Sequence, residues 1–326
     1  MRMVTRDRRA ILRMMASFGA LLATRGVGQE ASRQARRNPQ EPPSDESLRA
    51  VDLGDGLVQV SGAGGNVVVL EGRDGLVLVD SGSAEQAERL GSLIADRFSG
   101  APVSVLFNTH WHLDHTGGNE HLVAPGTTIV AHEHTRLWMT TKFYVEWEDR
   151  YYTPRAPTAV PTETFFSSDP QPLELELSGE TIVYGQLTEA HTDGDIYVFL
   201  PERNVIVAGG AVTIGTYPIP DYVTGGWIGG LYDATEKLLA LADSSTRIVP
   251  AQGPVLARSD LEQQSRMLST IRARIEEMAL TGKGIDEMIE AQITEEFDAR
   301  FGNNGALFVS NVYEGLWWNR MRGIVA

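Results

Sequence analysis

Three histidines and one aspartate lie within six consecutive residues, and this cluster restricts the chain more than any other feature of its sequence. His110, His112, Asp114 and His115 directly follow the apolar run Val103–Phe107, which predicts a buried strand. In extended backbone, side chains two residues apart point the same way, so His110 and His112 can share one cation. Asp114 and His115 lie beyond the turn and can reach a neighbouring position. The sequence therefore predicts a metal site at the end of a buried strand.

A catalytic zinc typically has three protein ligands and keeps a fourth position open. The chain has seven histidines, and His191, in the polar turn Glu189–Asp195, is the candidate for the third ligand. His132 and His134 repeat the spacing but open a predicted helix, where residues two apart diverge, and this favours a structural or capping role. His121 begins a helix after a Gly-Gly turn and is expected to be exposed.

Composition excludes several kinds of site and partner. The chain has no cysteine, which excludes a disulfide framework, a thiol nucleophile, a zinc-thiolate site and a lipoprotein anchor. The formal net charge of −15 argues against nucleic acid as a partner, because a phosphate backbone would be repelled. With 42% hydrophobic and 22% charged residues, the composition is typical of a folded globular protein.

The N-terminus has the three parts of an export signal: basic residues, a short apolar run and small residues. Arg8 and Arg9 precede the apolar run, and this arrangement resembles a twin-arginine signal. The run is too short to span a bilayer, so no stable membrane anchor is expected. The alternative is a basic amphipathic helix. We predict a signal peptide over 1–28, a flexible lead-in over 29–47, a single domain over 48–326, and a periplasmic or secreted location.

Strand and helix signals alternate from residue 57 onward. Two β-rich stretches, each followed by helices, predict an α/β fold built from two similar halves. Asp80 ends a buried strand, which favours a hydrogen bond that supports the following loop. Residues 143–172 are rich in proline and aromatic residues. That segment is either a binding loop, which would form part of the pocket wall, or an arm packed at a subunit contact.

The His110-x-His112-x-Asp114-His115 motif and the His191–Asp195 stretch, together with Leu78–Gly82 upstream, resemble the metallo-β-lactamase superfamily. The resemblance covers roughly residues 50–320. It implies an αββα sandwich with the metal site at the sheet edges, and hydrolysis by a metal-bound hydroxide. Three further stretches are similar to exported members related to the quinoprotein-relay group: Ala190–Asp195, Gly225–Trp227 and Leu238–Asp243.

Two positions depart from the superfamily pattern. It places a bridging aspartate where this chain has Gly210, and a final histidine where this chain has Gln252. The first metal site, formed by His110, His112 and His191, is intact. The second site is degenerate, because without a bridging carboxylate nothing offsets the repulsion between two cations.

The expected state is therefore one zinc per chain, with Asp114 as the catalytic base or orienting group. A weak second site could use Asp114, His115 and Gln252, although a neutral amide suits zinc poorly. Asp221 could also move in as a substitute ligand. Restoring both missing groups, by Gly210→Asp with Gln252→His, is expected to rebuild the second site, opposed only by a positive φ at Gly210.

These features predict an exported, zinc-dependent hydrolase of a small-molecule lactam, lactone, ester or thioester. The alternative, motivated by the two lost ligands, is a metal-retaining binding or accessory protein with lost or reduced turnover. A third reading, an iron redox enzyme of the same fold, is weakened because di-iron relatives carry glutamate where this chain has His112.

Overall fold

The computed structural model describes residues 47–166, 172–177 and 179–321. The expected signal peptide over 1–28 and all but the last residue of the expected lead-in over 29–47 lie outside these described residues. Within the described part of the chain, no helix combines the length and apolar character needed to cross a bilayer.

The first sheet has seven strands in the order β1-β2-β3-β4-β5-β6-β9. Strands β1 to β4 form an antiparallel meander, whereas β4, β5, β6 and β9 pair in parallel. The bounds are β1 Arg49–Gly54, β2 Leu57–Ala63, β3 Gly65–Gly72, β4 Gly75–Val79, β5 Val103–Phe107, β6 Thr128–His132 and β9 Glu163–Phe165. Between β6 and β9 lies a separate antiparallel hairpin of β7 Phe143–Val145 and β8 Arg150–Tyr152.

The second sheet has six strands in the order β10-β11-β12-β13-β14-β15. All neighbouring strands are antiparallel except β13 and β14, which pair in parallel. The bounds are β10 Leu173–Leu177, β11 Glu180–Gln186, β12 Ile196–Leu200, β13 Val205–Gly209, β14 Arg247–Pro250 and β15 Leu256–Ala257. Each sheet thus begins as a meander and continues through a parallel pair, in agreement with the two similar halves expected from the sequence.

Helices connect and flank the two sheets. Their bounds are α1 Ala87–Arg97, α2 Leu113–Thr116, α3 Asn119–Leu122, α4 Glu133–Thr140, α5 Ile228–Leu241, α6 Arg258–Leu280, α7 Ile285–Glu290, α8 Glu295–Phe301 and α9 Gly305–Met321. The crossover from β4 to β5 contains α1, and the crossover from β13 to β14 contains α5, as expected for parallel neighbours.

Alternating side chains divide the core into layers. One face of each sheet packs against the other sheet, as Val77 and Val79 of β4 do with Val205 and Val207 of β13. The opposite face of the first sheet packs on α1, and the opposite face of the second sheet packs on α5, α6 and α9. This helix–sheet–sheet–helix layering confirms the αββα sandwich.

Candidate metal centre

The residues of the predicted site follow strand ends that the fold brings together. Asp80 follows β4 and the His110–His115 segment follows β5, and because these strands are parallel their carboxyl ends share one edge. Gly210 and Gln252 follow β13 and β14, the parallel pair of the second sheet. His191 lies in the connection between β11 and β12.

The predicted ligands of the first site are brought together. His110, His112 and His191 are all buried, and one ring nitrogen from each lies within 4.8 Å of the others. The closest approach is between His112 Nδ1 and His191 Nε2, which are 2.8 Å apart.

The hydrogen bonds on the far sides of two rings fix where their protons lie. Thr109 Oγ1 donates its proton to Asp80 and therefore accepts from His110 Nδ1 at 3.0 Å. His191 Nδ1 donates to the carbonyl oxygen of Ile219 at 2.5 Å. Each ring therefore keeps its lone pair on Nε2, as is usual for a histidine that binds a metal.

Asp221 fixes the position of the proton on the third ring, that of His112. Its Oδ2 lies 3.4 Å from His112 Nε2, so a proton there leaves the lone pair of His112 on Nδ1. Asp221 is fully buried and also accepts hydrogen bonds from Trp147 Nε1 at 3.1 Å and from Thr224 Oγ1 at 2.5 Å. Asp221 is thus held behind His112 in this arrangement and orients its ring, rather than serving as the substitute ligand that the sequence left open.

The charge states of these rings follow from burial and from neighbouring charges. Burial lowers the pKa of His110 well below its usual value and that of His191 to about 3, so both are neutral at pH 7. Burial also disfavours the charged form of His112, but its hydrogen bond to Asp221 outweighs this and raises its pKa. Neutral imidazoles are the form that binds a metal.

The donor set fits a divalent transition metal. His112 Nδ1 and His191 Nε2 face each other at 2.8 Å, a distance at which the two nitrogens share either one proton or one cation. Imidazole nitrogens are suitable ligands for zinc, copper, iron or nickel.

The remaining members of the motif form a second, incomplete set. Donor atoms of Asp114 and His115 group with His110 within 4.8 Å. His115 Nδ1 lies 2.7 Å from Asp80 Oδ2, and its Nε2 lies 3.6 Å from Asp114 Oδ2. Burial lowers the pKa of His115, but the charges of Asp114 and Asp80 outweigh it and raise this pKa to about 9.

Gln252 faces this second set with its amide nitrogen, which donates to Asp114 Oδ2 at 3.5 Å. The loop that carries Gln252 is fixed to the first sheet, because Asn66 Nδ2 donates to the carbonyl oxygens of Pro250 and Gly253. Gln252 therefore acts here as a hydrogen-bond donor to Asp114 rather than as an oxygen ligand.

Gly210 lies directly against a ligand ring. A Cβ atom at this position would lie 2.3 Å from His191 Cδ2. The positive φ that could have opposed an aspartate at Gly210 is found instead at Gly209, where φ is 52°. The obstacle to a carboxylate at position 210 is therefore steric: His191 would have to move.

Asp80 supports the histidine loop, as the sequence predicted. Its carboxylate accepts from both Thr109 N and Thr109 Oγ1, each at 2.7 Å. The role of His132 is also confirmed, because its ring caps α4 by accepting from His134 N at 3.2 Å. His121 is exposed, as expected.

A cavity of about 210 Å³ opens beside the three imidazoles, Asp114 and His115. Its remaining lining residues, which we call the cavity wall, come from the loops after β13 and β14 and from the turn before α9. They are Gly210, Thr213, Ile214, Gly215, Thr216, Ile219, Ala251, Gln252, Asn303 and Asn304. Apart from Gly210 and Gln252, the sequence did not indicate the wall, because these loops carry no motif.

The aromatic segment does not form the wall of this cavity, contrary to the expectation. None of the described residues between 143 and 172 lines it. The segment instead packs behind His112: Trp147 binds Asp221, and the rings of Phe143 and Tyr152 contact Trp111. Its effect on the site is therefore indirect, through the position of His112.

Two facing sheets flanked by helices, with clustered imidazoles at the strand ends, define an αββα protein with a candidate metal centre. The chain belongs to the Metallo-beta-lactamase superfamily, whose sequence profile matches residues 60–253. The family and fold that the motifs implied are thereby confirmed.

The proteins to which this chain is similar carry names that indicate different activities. The chain is 27% identical over 244 residues to the 2,4-dinitroanisole O-demethylase subunit alpha of Nocardioides sp., covering 72% of this chain and 67% of that protein. The metallo-beta-lactamase from Pontibacter korlensis has a TM-score of 0.55 and 21% identity, covering 68% of this chain and 99% of that one. The stereoselective inverting sec-alkylsulfatase from Pseudomonas sp. has a TM-score of 0.65 and 15% identity, covering 91% of this chain and 56% of that one. The likeness to these solved structures is one of fold.

Proposed function

We propose that the chain is a zinc-dependent hydrolase that cleaves a carbonyl or ester-type bond of a small molecule. The observation that carries this proposal is the convergence of three buried imidazole nitrogens, from His110, His112 and His191, beside an open cavity. Fixed tautomers mean that little reorganisation is needed to bind a cation. A zinc ion held there would lower the pKa of bound water to about 7 and polarise a carbonyl oxygen.

Asp114 is the residue we assign as the catalytic base. It lines the cavity, its side chain is 25% exposed, and its Oδ2 is held by contacts with Gln252 and His115. The carboxylate can therefore meet a water molecule and accept its proton while staying oriented. Asp221 and Thr109 act from behind, by holding the rings of His112 and His110.

We further propose that the chain binds one metal ion. Gly210 offers no side chain to bridge two cations, and Gln252 presents an amide proton to Asp114. A second cation beside Asp114 and His115 would meet only a partial donor set.

We also propose that the protein is exported by the twin-arginine route and acts in the periplasm or outside the cell. Arg8, Arg9 and the apolar run behind them support this proposal.

The second candidate function is a metal-retaining binding or accessory protein, and the ligand losses at Gly210 and Gln252 favour it. The experiment that separates the two is turnover by the zinc-loaded protein on a panel of substrates. The panel contains an ester, a lactone, a thioester and a lactam. The panel also contains 2,4-dinitroanisole and a secondary alkyl sulfate, which are taken from the names of two similar proteins.

The hydrolase proposal is supported if any member of the panel is hydrolysed, if His112→Ala abolishes this hydrolysis, and if the exposed control variant His121→Ala retains it. Zinc binding without turnover across the whole panel supports the accessory protein instead.

A further inference from the structure

The cavity wall has no charged side chain. Its members are small, apolar or amide-bearing, and none of the described residues that line the cavity is lysine or arginine. Ile214 and Ile219 supply apolar surface, while Thr216, Gln252 and Asn303 supply neutral polar groups. A substrate substituent that extends away from the reacting bond would therefore meet only neutral groups.

The charged groups near the site are either paired with a group of opposite charge or negative. His115, which also lines the cavity, already faces a carboxylate from each ring nitrogen: Asp80 lies 2.7 Å from Nδ1 and Asp114 lies 3.6 Å from Nε2. Asp114 itself is an anion at the cavity. The chain as a whole carries a formal charge of −15, which lowers the concentration of anions near its surface. A carboxylate or phosphate held against this wall, away from the proposed zinc ion, would lose its hydration without gaining a basic side chain as its counterion.

We propose that the substrate is uncharged outside its reacting bond, such as a small neutral ester or lactone with an apolar group against Ile214 and Ile219. This inference rests on the proposed hydrolase function and specifies its substrate class. It separates this chain from enzymes that anchor a substrate carboxylate or phosphate through a basic side chain.

The test compares two esters with the same scissile bond, 4-nitrophenyl butyrate and 4-nitrophenyl hemisuccinate. The second carries a carboxylate at the end of its acyl chain. At low salt, kcat/KM for the neutral ester is expected to be at least about tenfold higher. Added sodium chloride is expected to narrow this ratio, because it screens charge but does not alter shape.

Two variants at one wall position test whether charge is the cause. Thr216→Arg is expected to raise kcat/KM for the hemisuccinate relative to the butyrate, whereas Thr216→Met adds bulk without charge and is expected to leave the ratio near that of the parent. Equal kcat/KM values for both esters in the parent protein, or a preference for the hemisuccinate, would overturn the inference while leaving the hydrolase proposal intact.

If neither ester is cleaved, a binding measurement tests the preference for an uncharged ligand independently of the hydrolase proposal. Calorimetry with the corresponding amides, N-(4-nitrophenyl)butyramide and N-(4-nitrophenyl)succinamic acid, compares neutral and anionic ligands without turnover. Weaker binding of the acid supports an uncharged ligand. Equal or tighter binding of the acid contradicts it.

Discussion

Gly210 lies so close to His191 that a Cβ atom on the glycine would be 2.3 Å from Cδ2 of the imidazole. His191 occupies the space that any side chain at position 210 would need. The same glycine that removes the bridging carboxylate of a second metal site therefore also makes room for a ligand of the first. Loss of one site and the present geometry of the other are coupled through this contact.

The first prediction concerns the steric effect of a single methyl group added at position 210. Gly210→Ala is expected to displace His191 and weaken zinc binding by about 10- to 100-fold, comparable to the loss of an orienting partner. Competition with a chromogenic chelator measures the affinity. Gly315→Ala is the matched control, because a Cβ atom there has no neighbour closer than 3.5 Å. Unchanged affinity in the Gly210 variant would show that His191 can move at little cost.

The second prediction concerns metal stoichiometry. The parent protein is expected to bind close to one zinc per chain, and Gly210→Asp with Gln252→His is expected not to gain a second. The motif comparison alone predicted that gain, but the introduced Cβ would disturb His191 before its carboxylate could bridge two ions. Elemental analysis after gel filtration provides the count. Two tightly held zinc ions in the double variant would refute the steric argument.

The third prediction concerns the residue behind His112. Asp221→Asn removes the charge next to His112 Nε2, so the ring is held less firmly with its lone pair on Nδ1. Zinc affinity is expected to fall by about 10- to 100-fold with the fold retained, as judged by circular dichroism. The exposed carboxylate Asp52, which pairs with Arg97 at the surface, provides the control Asp52→Asn. Equal affinities of the two variants would mean that Asp221 does not position His112.

The fourth prediction concerns stability without metal. Asp80→Ala leaves Thr109 N and the buried His115 ring without their partner, and is expected to lower the free energy of unfolding by about 3–5 kcal/mol. Urea denaturation of chelator-treated protein measures this. Asp96→Asn, at an exposed position on α1, is the control. A loss of less than about 1 kcal/mol, typical of surface substitutions, would contradict a supporting role for Asp80.

The fifth prediction concerns export, which depends on residues outside the described part of the chain. Arg8→Lys with Arg9→Lys is expected to leave the precursor in the cytoplasm, since twin-arginine recognition requires the arginine pair. Cell fractionation with an antibody against the protein measures the distribution. Normal export of this variant would exclude the twin-arginine route.

The sequence by itself predicted the three imidazoles of the candidate metal site and the alternation of strands and helices. His110 and His112 share a side of the chain because side chains alternate in extended backbone, and this is a local rule that needs no tertiary contact. Apolar runs separated by glycine turns predicted the strands, whereas the αββα layering was implied only by the resemblance to the metallo-β-lactamase superfamily. Even the supporting role of Asp80 followed from its place at a strand end.

Only the tertiary structure decided what surrounds those ligands. Asp221 lies 109 residues from His112 along the chain, and the contact of Gly210 with His191 joins two different loops. The cavity wall combines the loops after β13 and β14 with the turn before α9, and the aromatic segment packs behind His112 instead of entering that wall. Periodicity specifies which way a side chain points from its own strand. Which loops meet beyond the strand ends depends on how the two sheets pack, and no local pattern in the sequence encodes that.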